Sequence, residues 1–187
     1  MKHIASMALT LYFGVASVSA QEKPVKMTFS GTAANSAINL QQTNSSMDED
    51  NFAGDGTLGS FAVRNVRSLP NSPTPSSTCS GPNLLHFTET VGGGVVRFHD
   101  GSLLYLNLTE GSDCIDLSIG EAHCVLTFQI TGGSGHFKNA SGTLTMTETA
   151  LPVLSDAFSN PVLYAATGEF TGTVSGVSEE QGQDGGQ

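Results

Sequence analysis

Residues 130–144, with the sequence ITGGSGHFKNASGTL, are the most distinctive stretch of the chain. An apolar residue leads into three glycines within four positions, which predicts a strand that runs into a glycine-rich turn. Glycine allows positive φ angles and a close approach of backbones. We therefore predict that Phe137 is buried at this turn and that Gly142 begins the next strand.

Apolar and polar residues alternate on either side of this turn. Leu144 and Met146 alternate with threonines after it, and Val25, Met27 and Phe29 alternate with polar residues near the start of the chain. A period of two is typical of half-buried strands. Further strands are predicted at 61–66, 84–90, 95–98, 103–109, 115–118, 123–131, 162–165 and 169–174. About eight short strands with glycine-rich turns predict an all-β domain, either a closed antiparallel barrel or a β-sandwich.

Two segments between the predicted strands have the composition of loops. Residues 31–56 are small and polar and carry an acidic run, which indicates a long exposed loop. Residues 70–82 contain four prolines, and these cannot donate hydrogen bonds within a central strand. We expect both segments to lie outside the sheet.

The glycine-rich stretch also resembles the Thr-Gly-Gly-x-Gly-x-Phe-x-x-Ala-x-Gly signature of the allene oxide cyclase and dirigent barrel superfamily. The matching residues are Thr131, Gly132, Gly133, Gly135, Phe137, Ala140 and Gly142. The resemblance continues loosely through Pro152 to Gly168 and Phe170, over about residues 122–175. It implies a single antiparallel eight-stranded barrel of calycin-like form, with an apolar interior and often assembled as a homotrimer. No residue here matches the family's catalytic side chains, so the resemblance assigns no catalytic residue.

The first twenty residues are typical of a secretory signal peptide. Lys2 provides the charged start, residues 4–18 are mostly apolar, and Val18-Ser19-Ala20 is a small-residue cleavage site. The apolar stretch is interrupted by polar residues and is shorter than the roughly 20 residues that span a membrane. We expect cleavage after Ala20, a secreted or periplasmic protein, a barrel domain at 21–177 and a disordered acidic tail at 178–187.

The charge of the chain limits its partners. The formal net charge is −10, and lysines and arginines form no cluster. Such a surface repels phosphate backbones and anionic lipids. Nucleic acid is therefore not expected as a partner, and no segment after residue 20 is apolar for long enough to span a membrane.

Export would permit a disulfide among the three cysteines, Cys79, Cys114 and Cys124. A hairpin turn at 119–121 would set Cys114 and Cys124 opposite each other, which makes their disulfide the favoured pairing. The alternation through Cys124 argues against it, because Asp116 would then share the apolar face with Cys114 unless a bulge intervenes. Cys79 is either a free thiol or the true partner of one of the other two.

The sequence contains no recognisable catalytic constellation. It has no Gly-x-Ser-x-Gly nucleophile elbow, and its glycine turn lacks the Lys-Ser/Thr of a phosphate-binding loop. Four histidines lack local metal-binding spacing, and the acidic residues 48–50 lack the full calcium-loop pattern. Glu89, Glu110 and Asp116 could form an acid and base pair inside a barrel, although the wet outer face is their default position. We assign no catalytic residue, metal ligand or cofactor.

Two functions fit these observations. The first is an exported non-catalytic barrel that binds a small apolar ligand or serves a structural role. The second, which the resemblance implies, is an isomerase or cyclase acting on an apolar substrate in the barrel cavity. An open apolar pocket with a buried carboxylate would favour the enzyme. Solid packing by Leu, Phe and Met would favour the structural role, and an open pocket without ionisable groups would favour binding.

Overall fold

A computed structural model describes residues 21–36 and 45–178 of the 187-residue chain. The strands are β1 Lys23–Asn35, β2 Ser45–Gly56, β3 Phe61–Pro70, β4 Leu84–Glu89, β5 Gly92–Phe98, β6 Leu103–Asp116, β7 Glu121–Ser134, β8 Ser141–Ser155 and β9 Pro161–Ser175. A single 3-10 turn, Gly135–Phe137, is the only helical element in these described ranges. No helix there is long and apolar enough to cross a bilayer. The predicted signal peptide, and the predicted tail beyond residue 178, lie outside the described residues.

Eight of the strands close into one antiparallel barrel. Its hydrogen-bonded order is β6-β5-β3-β2-β1-β9-β8-β7, and β7 pairs back with β6 to close the circle. The remaining strand, β4, pairs with the second half of β6, beyond the segment that pairs with β5. The predicted eight-stranded antiparallel barrel is therefore confirmed, and the β-sandwich alternative is wrong because the sheet is continuous and closed.

Apolar side chains fill most of the barrel interior. The largest of those that are fully buried are Met27, Leu104, Leu126, Phe128, Leu144, Met146 and Phe170. The Phe29 ring stacks on Phe52 with centroids 4.5 Å apart and lies 5.2 Å from the Phe170 ring. Burying each such side chain contributes about 1.5–3 kcal/mol. This core holds the eight strands together.

The two ends of the barrel differ in the side chains that face inward. At the closed end, the Phe98 and Phe137 rings stack with centroids 4.5 Å apart and both are buried. At the open end, where β1, β6 and β8 finish and β2, β7 and β9 begin, three inward positions are alanines, Ala33, Ala122 and Ala150. Because alanine side chains are small, they leave space inside the open end of the barrel. At the closed end, aromatic rings fill the interior.

The prediction of a long exposed loop over residues 31–56 is wrong for residues 31–35 and 45–56, and residues 37–44 lie outside the described residues. β1 continues to Asn35, and β2 pairs with β1 on one side and β3 on the other. Asp50 and Phe52 of β2 are buried. Acidic residues at inward positions gave β2 the composition of a loop. By contrast, the proline-rich segment predicted at 70–82 contains no strand after Pro70, which is the last residue of β3.

The disulfide joins Cys79 to Cys114, with Cα atoms 5.7 Å apart, and the predicted Cys114–Cys124 pairing is wrong. Asp113, not Cys114, lies opposite Cys124 in the β6–β7 ladder. Adjacent residues of a strand face opposite sides of a sheet, so Cys114 and Cys124 lie on different faces. The cause is a bulge at Thr109, which shifts the inward phase of β6 and turns Asp113 toward the interior. Cys124 is a free, buried thiol.

Candidate functional site

Charged side chains occupy inward positions between the apolar core and the open end. They are Asp50 on β2, Arg67 on β3, Glu89 on β4, Asp113 on β6 and Glu148 on β8, with Cys124 on β7 beside them. We call these six residues the Arg67 cluster. Each is between 0 and 3% exposed. Ionisable groups are almost never buried to this degree unless they are paired.

The guanidinium of Arg67 is the centre of the cluster. Its Nη1 donates to Glu89 Oε1 at 2.6 Å and to Asp113 Oδ2 at 2.8 Å. Its Nε donates to Asp50 Oδ2 at 3.2 Å, an oxygen that also accepts from Asn65 Nδ2 at 3.0 Å. On the remaining side, Nη2 lies 3.9 Å from both Glu148 Oε2 and Cys124 Sγ. One cation therefore contacts four carboxyl groups from four different strands.

Strand alternation explains why these residues face inward. Phe61, Val63, Asn65 and Arg67 are the buried phase of β3, and Leu144, Met146, Glu148 and Ala150 are the buried phase of β8. A charged residue in the apolar phase of a strand must point into the barrel. The cluster thus continues the core with ionisable side chains.

Glu89 reaches the cluster because Gly111 leaves room for it. These residues are opposite each other in the β4–β6 ladder. A Cβ atom at position 111 would lie 2.8 Å from Cβ of Glu89 and 2.7 Å from Leu126 Cδ2. Gly111 follows the bulge at Thr109, so one local feature of β6 admits Glu89 and also turns Asp113 inward.

The four carboxyl groups cannot all be ionised beside one guanidinium. Burial alone would raise the pKa of Asp113, but the charge of Arg67 and hydrogen bonds to the carboxylate lower it below its usual value. Burial raises the pKa of Glu89 well above its usual value, and Arg67 only partly opposes this effect. Burial and repulsion from Asp50 raise the pKa of Glu148 to about 8. Burial also raises the pKa of Asp50. The Arg67–Asp113 ion pair therefore lies beside three carboxyl groups whose raised pKa values favour their neutral forms.

Several buried oxygen atoms of the cluster have no hydrogen-bond partner among the described residues. They are Asp50 Oδ1, Glu89 Oε2, Asp113 Oδ1 and both carboxyl oxygens of Glu148, together with Oδ1 of the neighbouring Asn65. An unsatisfied buried polar atom costs about 1–3 kcal/mol. A protonated carboxyl group carries one O–H donor, so the raised pKa values of Glu89 and Glu148 supply donors among these oxygen atoms.

A cavity of about 90 Å³ lies above the cluster at the open end. Arg67 and Asp113 line it, together with Asp48, Tyr164 and apolar residues that include Ala122 and Ala150. Larger depressions of about 400–520 Å³ lie on the surface, and no buried charged group lines them. The cavity at the open end is therefore where the cluster meets solvent.

Asp48 is the ionisable side chain best placed to meet a molecule in this cavity. It lies opposite Arg67 in the β2–β3 ladder and is partly exposed. Burial raises its pKa to about 6, with Arg67 acting in the opposite direction. Burial and the charge of Asp48 also raise the pKa of Tyr164. A carboxyl group with a pKa of about 6 changes its charge near neutral pH.

The other residues considered from sequence do not join this site. Glu110 is exposed on β6, and Asp116 accepts hydrogen bonds from Ser118 outside the cluster. Glu89 is the exception, because it lies inside the barrel and not on the wet outer face. Across the described residues, no group of three or more His, Cys, Asp or Glu side chains is arranged to hold a metal ion.

The glycine motif lies at the closed end, away from the cavity. The motif runs from the end of β7 through the 3-10 turn into the start of β8. Its residues are Gly132, Gly133, Gly135, Phe137, Ala140 and Gly142. Phe137 is buried, as predicted. A Cβ atom at position 133 would lie 2.1 Å from the Leu103 carbonyl oxygen, and Gly135 has a φ of 57°. The motif therefore packs the closed end of the barrel.

Sequence reasoning missed Arg67, Asp50, Asp113 and Glu148. A charged residue at an apolar position of an alternating strand predicts a side chain that faces the interior. This pattern is clear for Glu148, which follows Leu144 and Met146 at the same spacing. For Asp113 the bulge hides this signal, and for Asp50 the acidic run disguises the strand itself.

Comparison of the chain with protein-family models gives no match. A search of curated proteins likewise finds none that is significantly similar.

Proposed function

We propose that this protein is an exported, non-catalytic binding module whose ligand site is the open end of the barrel. The observation that carries the proposal is the cavity of about 90 Å³ between the Arg67 cluster and solvent. Apolar side chains fill the interior below the cluster, which is the packing expected of a structural role there, so the proposed binding is confined to the open end. A ligand therefore enters from the open end and does not lie along the barrel axis.

The size of the cavity limits what it holds. Pockets for drug-sized ligands measure about 300–1,000 Å³, and an apolar cavity of about 150 Å³ accommodates benzene. A cavity of about 90 Å³ takes a group of a few non-hydrogen atoms. The ligand is then either very small, or it inserts one end and leaves the rest outside the barrel.

Native mass spectrometry of the protein purified from its natural source tests this proposal. We expect a small molecule to remain bound to the wild type and to be lost from Ala150→Leu, which fills the cavity. Thr147→Leu is the matched control, because it adds the same side chain at an exposed position on the outer face of the same strand. Retention of the same molecule by Ala150→Leu, with an unchanged circular dichroism spectrum, would contradict a site at the open end.

An isomerase or cyclase is the second candidate, favoured by the position and titration of Asp48. Its carboxyl group lines the cavity and has a pKa of about 6, which suits a general acid or base at neutral pH. Returning the co-purified molecule to the wild type in D₂O would reveal proton transfer as deuterium incorporation. The enzyme hypothesis requires that incorporation stops in Asp48→Asn while binding remains, and absence of incorporation in the wild type would reject it.

The proposal includes export, a superfamily and an assembly. The Cys79–Cys114 disulfide supports an oxidising compartment. The closed eight-stranded barrel and its glycine turn support membership of the allene oxide cyclase and dirigent superfamily, and with it a homotrimer. The same native mass spectrum tests two of these points. A measured mass equal to that of a chain beginning at Gln21 would support cleavage after Ala20. A monomer at micromolar protein concentration would reject the trimer.

A further inference from the structure

Exposed apolar side chains lie on two adjacent hairpins at the open end of the barrel. They belong to the β6–β7 turn and the β8–β9 hairpin, and their exposed fractions are between 45 and 85%. We call this set the apolar rim, and it consists of Leu117, Ile119, Leu151, Val153, Leu154 and Phe158. The two hairpins touch, because a Cβ atom at Gly120 would lie 3.1 Å from Cγ of Pro152. An exposed apolar surface of this kind marks an interaction site.

The floor of the cavity has the opposite character. Asp113 lines the cavity, is 2% exposed, and its Oδ1 has no hydrogen-bond partner among the described residues. The carboxyl group of Asp48 lies beside it on the cavity wall. The guanidinium of Arg67 already donates to three carboxyl groups. Arg67 also lines the cavity, but its donors are already engaged, so the lining has two carboxyl groups, those of Asp48 and Asp113, for one cation.

We propose that the open end binds an amphiphilic primary amine. Its ammonium group occupies the cavity and donates to Asp48 and Asp113, and its hydrocarbon chain lies on the apolar rim. This inference rests on the proposed function and names the chemical class of its ligand. It unites two separate observations, an unpaired buried carboxylate oxygen and an apolar surface at the same opening.

Other head groups suit the cavity less well. A carboxylate or phosphate head would be repelled by Asp48 and Asp113, and the Arg67 guanidinium in the same lining is already paired with carboxyl groups. A quaternary ammonium has no N–H to satisfy Asp113 Oδ1, and the cavity is lined by one aromatic residue, Tyr164, where such ligands prefer a cage of several. A primary ammonium has three donors and fits within about 90 Å³.

Calorimetric titration at pH 7.5 with octylamine, 1-octanol and octanoate, each below its micelle concentration, tests the head group. We expect octylamine to bind at least tenfold more tightly than octanol, and octanoate not to bind. Asp48→Asn should weaken octylamine binding at least tenfold. The control Asp55→Asn, an exposed carboxylate near the other end of β2, should bind octylamine as the wild type does.

The rim is tested with the double variant Val153→Ser and Phe158→Ser. We expect it to weaken octylamine binding severalfold and to leave the weaker binding of propylamine unchanged. Val95→Ser removes an exposed apolar side chain from β5, away from the rim, and serves as the control. Circular dichroism of each variant verifies that the barrel remains folded.

The outcomes separate this inference from the function on which it rests. Equal binding of octanol or octanoate would overturn the ammonium site and leave a binding module standing. A co-purified ligand without an amine, together with no octylamine binding, would also overturn the ammonium site and leave the binding module standing. If nothing co-purifies and no probe binds, both proposals fail. Sedimentation tests whether the rim is instead a subunit interface. If the wild type is an oligomer that does not bind octylamine, and the rim variant is a monomer, the rim is an interface and the inference is wrong.

Discussion

Arg67 is the residue on which the polar part of the interior depends. It donates to carboxyl groups from β2, β4 and β6, so one side chain joins strands that are distant in the sequence. Burying charges costs several kcal/mol for each ion, and this cost is offset only where the geometry pairs them well. The raised pKa values of Glu89 and Glu148 reduce the cost further, because they favour neutral carboxyl groups, which are easier to bury.

Replacing Arg67 by methionine should destabilise the barrel by about 3–5 kcal/mol, because it leaves an uncompensated buried carboxylate at Asp113. The matched control is Arg64→Met on the same strand. The Arg64 side chain is 60% exposed and pairs with Glu49 at 2.8 Å, and exposed pairs contribute about 1 kcal/mol or less. Urea unfolding at pH 6 measures both changes. Equal stability of the two variants would show that the cluster does not depend on its cation.

At the scale of single elements, β6 decides the chemistry of the site. Its bulge at Thr109 turns Asp113 inward and Cys114 outward, and the disulfide then ties Cys114 to the segment before β4. β4 in turn carries Glu89 into the cluster. The outer disulfide and the inner charge cluster are therefore linked through one pair of strands.

Removing the disulfide with Cys79→Ser and Cys114→Ser should lower the free energy of unfolding by about 4 kcal/mol. The residues are separated by 35 positions, and the closed loop restricts the unfolded chain by about that amount. Thermal unfolding of the variant and of the reduced wild type measures the loss, which should be similar in the two. Alkylation of the denatured, unreduced wild type should modify one cysteine, Cys124. Modification of Cys79 would contradict the pairing.

Sequence patterns predicted the elements of this fold better than their register. The alternation of Leu144 and Met146 with threonines predicted β8, and it would have placed Glu148 inside had it been followed two residues further. The bulge at Thr109 has no sequence signal comparable to the alternation, so the facing of Asp113 and the disulfide partner of Cys114 could not be derived. Closure of the sheet through β6 and β7 depends on contacts between strands, which a single sequence does not display.

For the whole molecule, the buried carboxyl groups set how stability depends on pH. The chain has a formal net charge of −10, yet its interior retains protons that the unfolded chain releases. The folded pKa of Glu148 is about 8, above its usual value of 4.5. Between these two values the folded state holds a proton that the unfolded state has lost, so stability falls as pH rises.

This difference predicts a negative slope of about 1.4 kcal/mol per pH unit from Glu148 between roughly pH 4.5 and pH 8. Asp48, whose pKa is raised to about 6, adds a slope of the same sign between about pH 4 and pH 6. The wild type should therefore be more stable at pH 5 than at pH 8. Urea unfolding at unit steps of pH measures the slope directly.

Glu148→Gln keeps the shape of the side chain and cannot ionise, so its slope above pH 6 should be flatter by about 1.4 kcal/mol per pH unit. Glu110→Gln, at an exposed position of β6, should retain the wild-type slope. Because the effect arises from burial beside Asp50 and Arg67 and not from the net charge, salt should change it little. A slope that disappears in 0.5 M salt would assign the pH dependence to the surface, and an unchanged slope in Glu148→Gln would assign it to a group other than Glu148, such as Glu89.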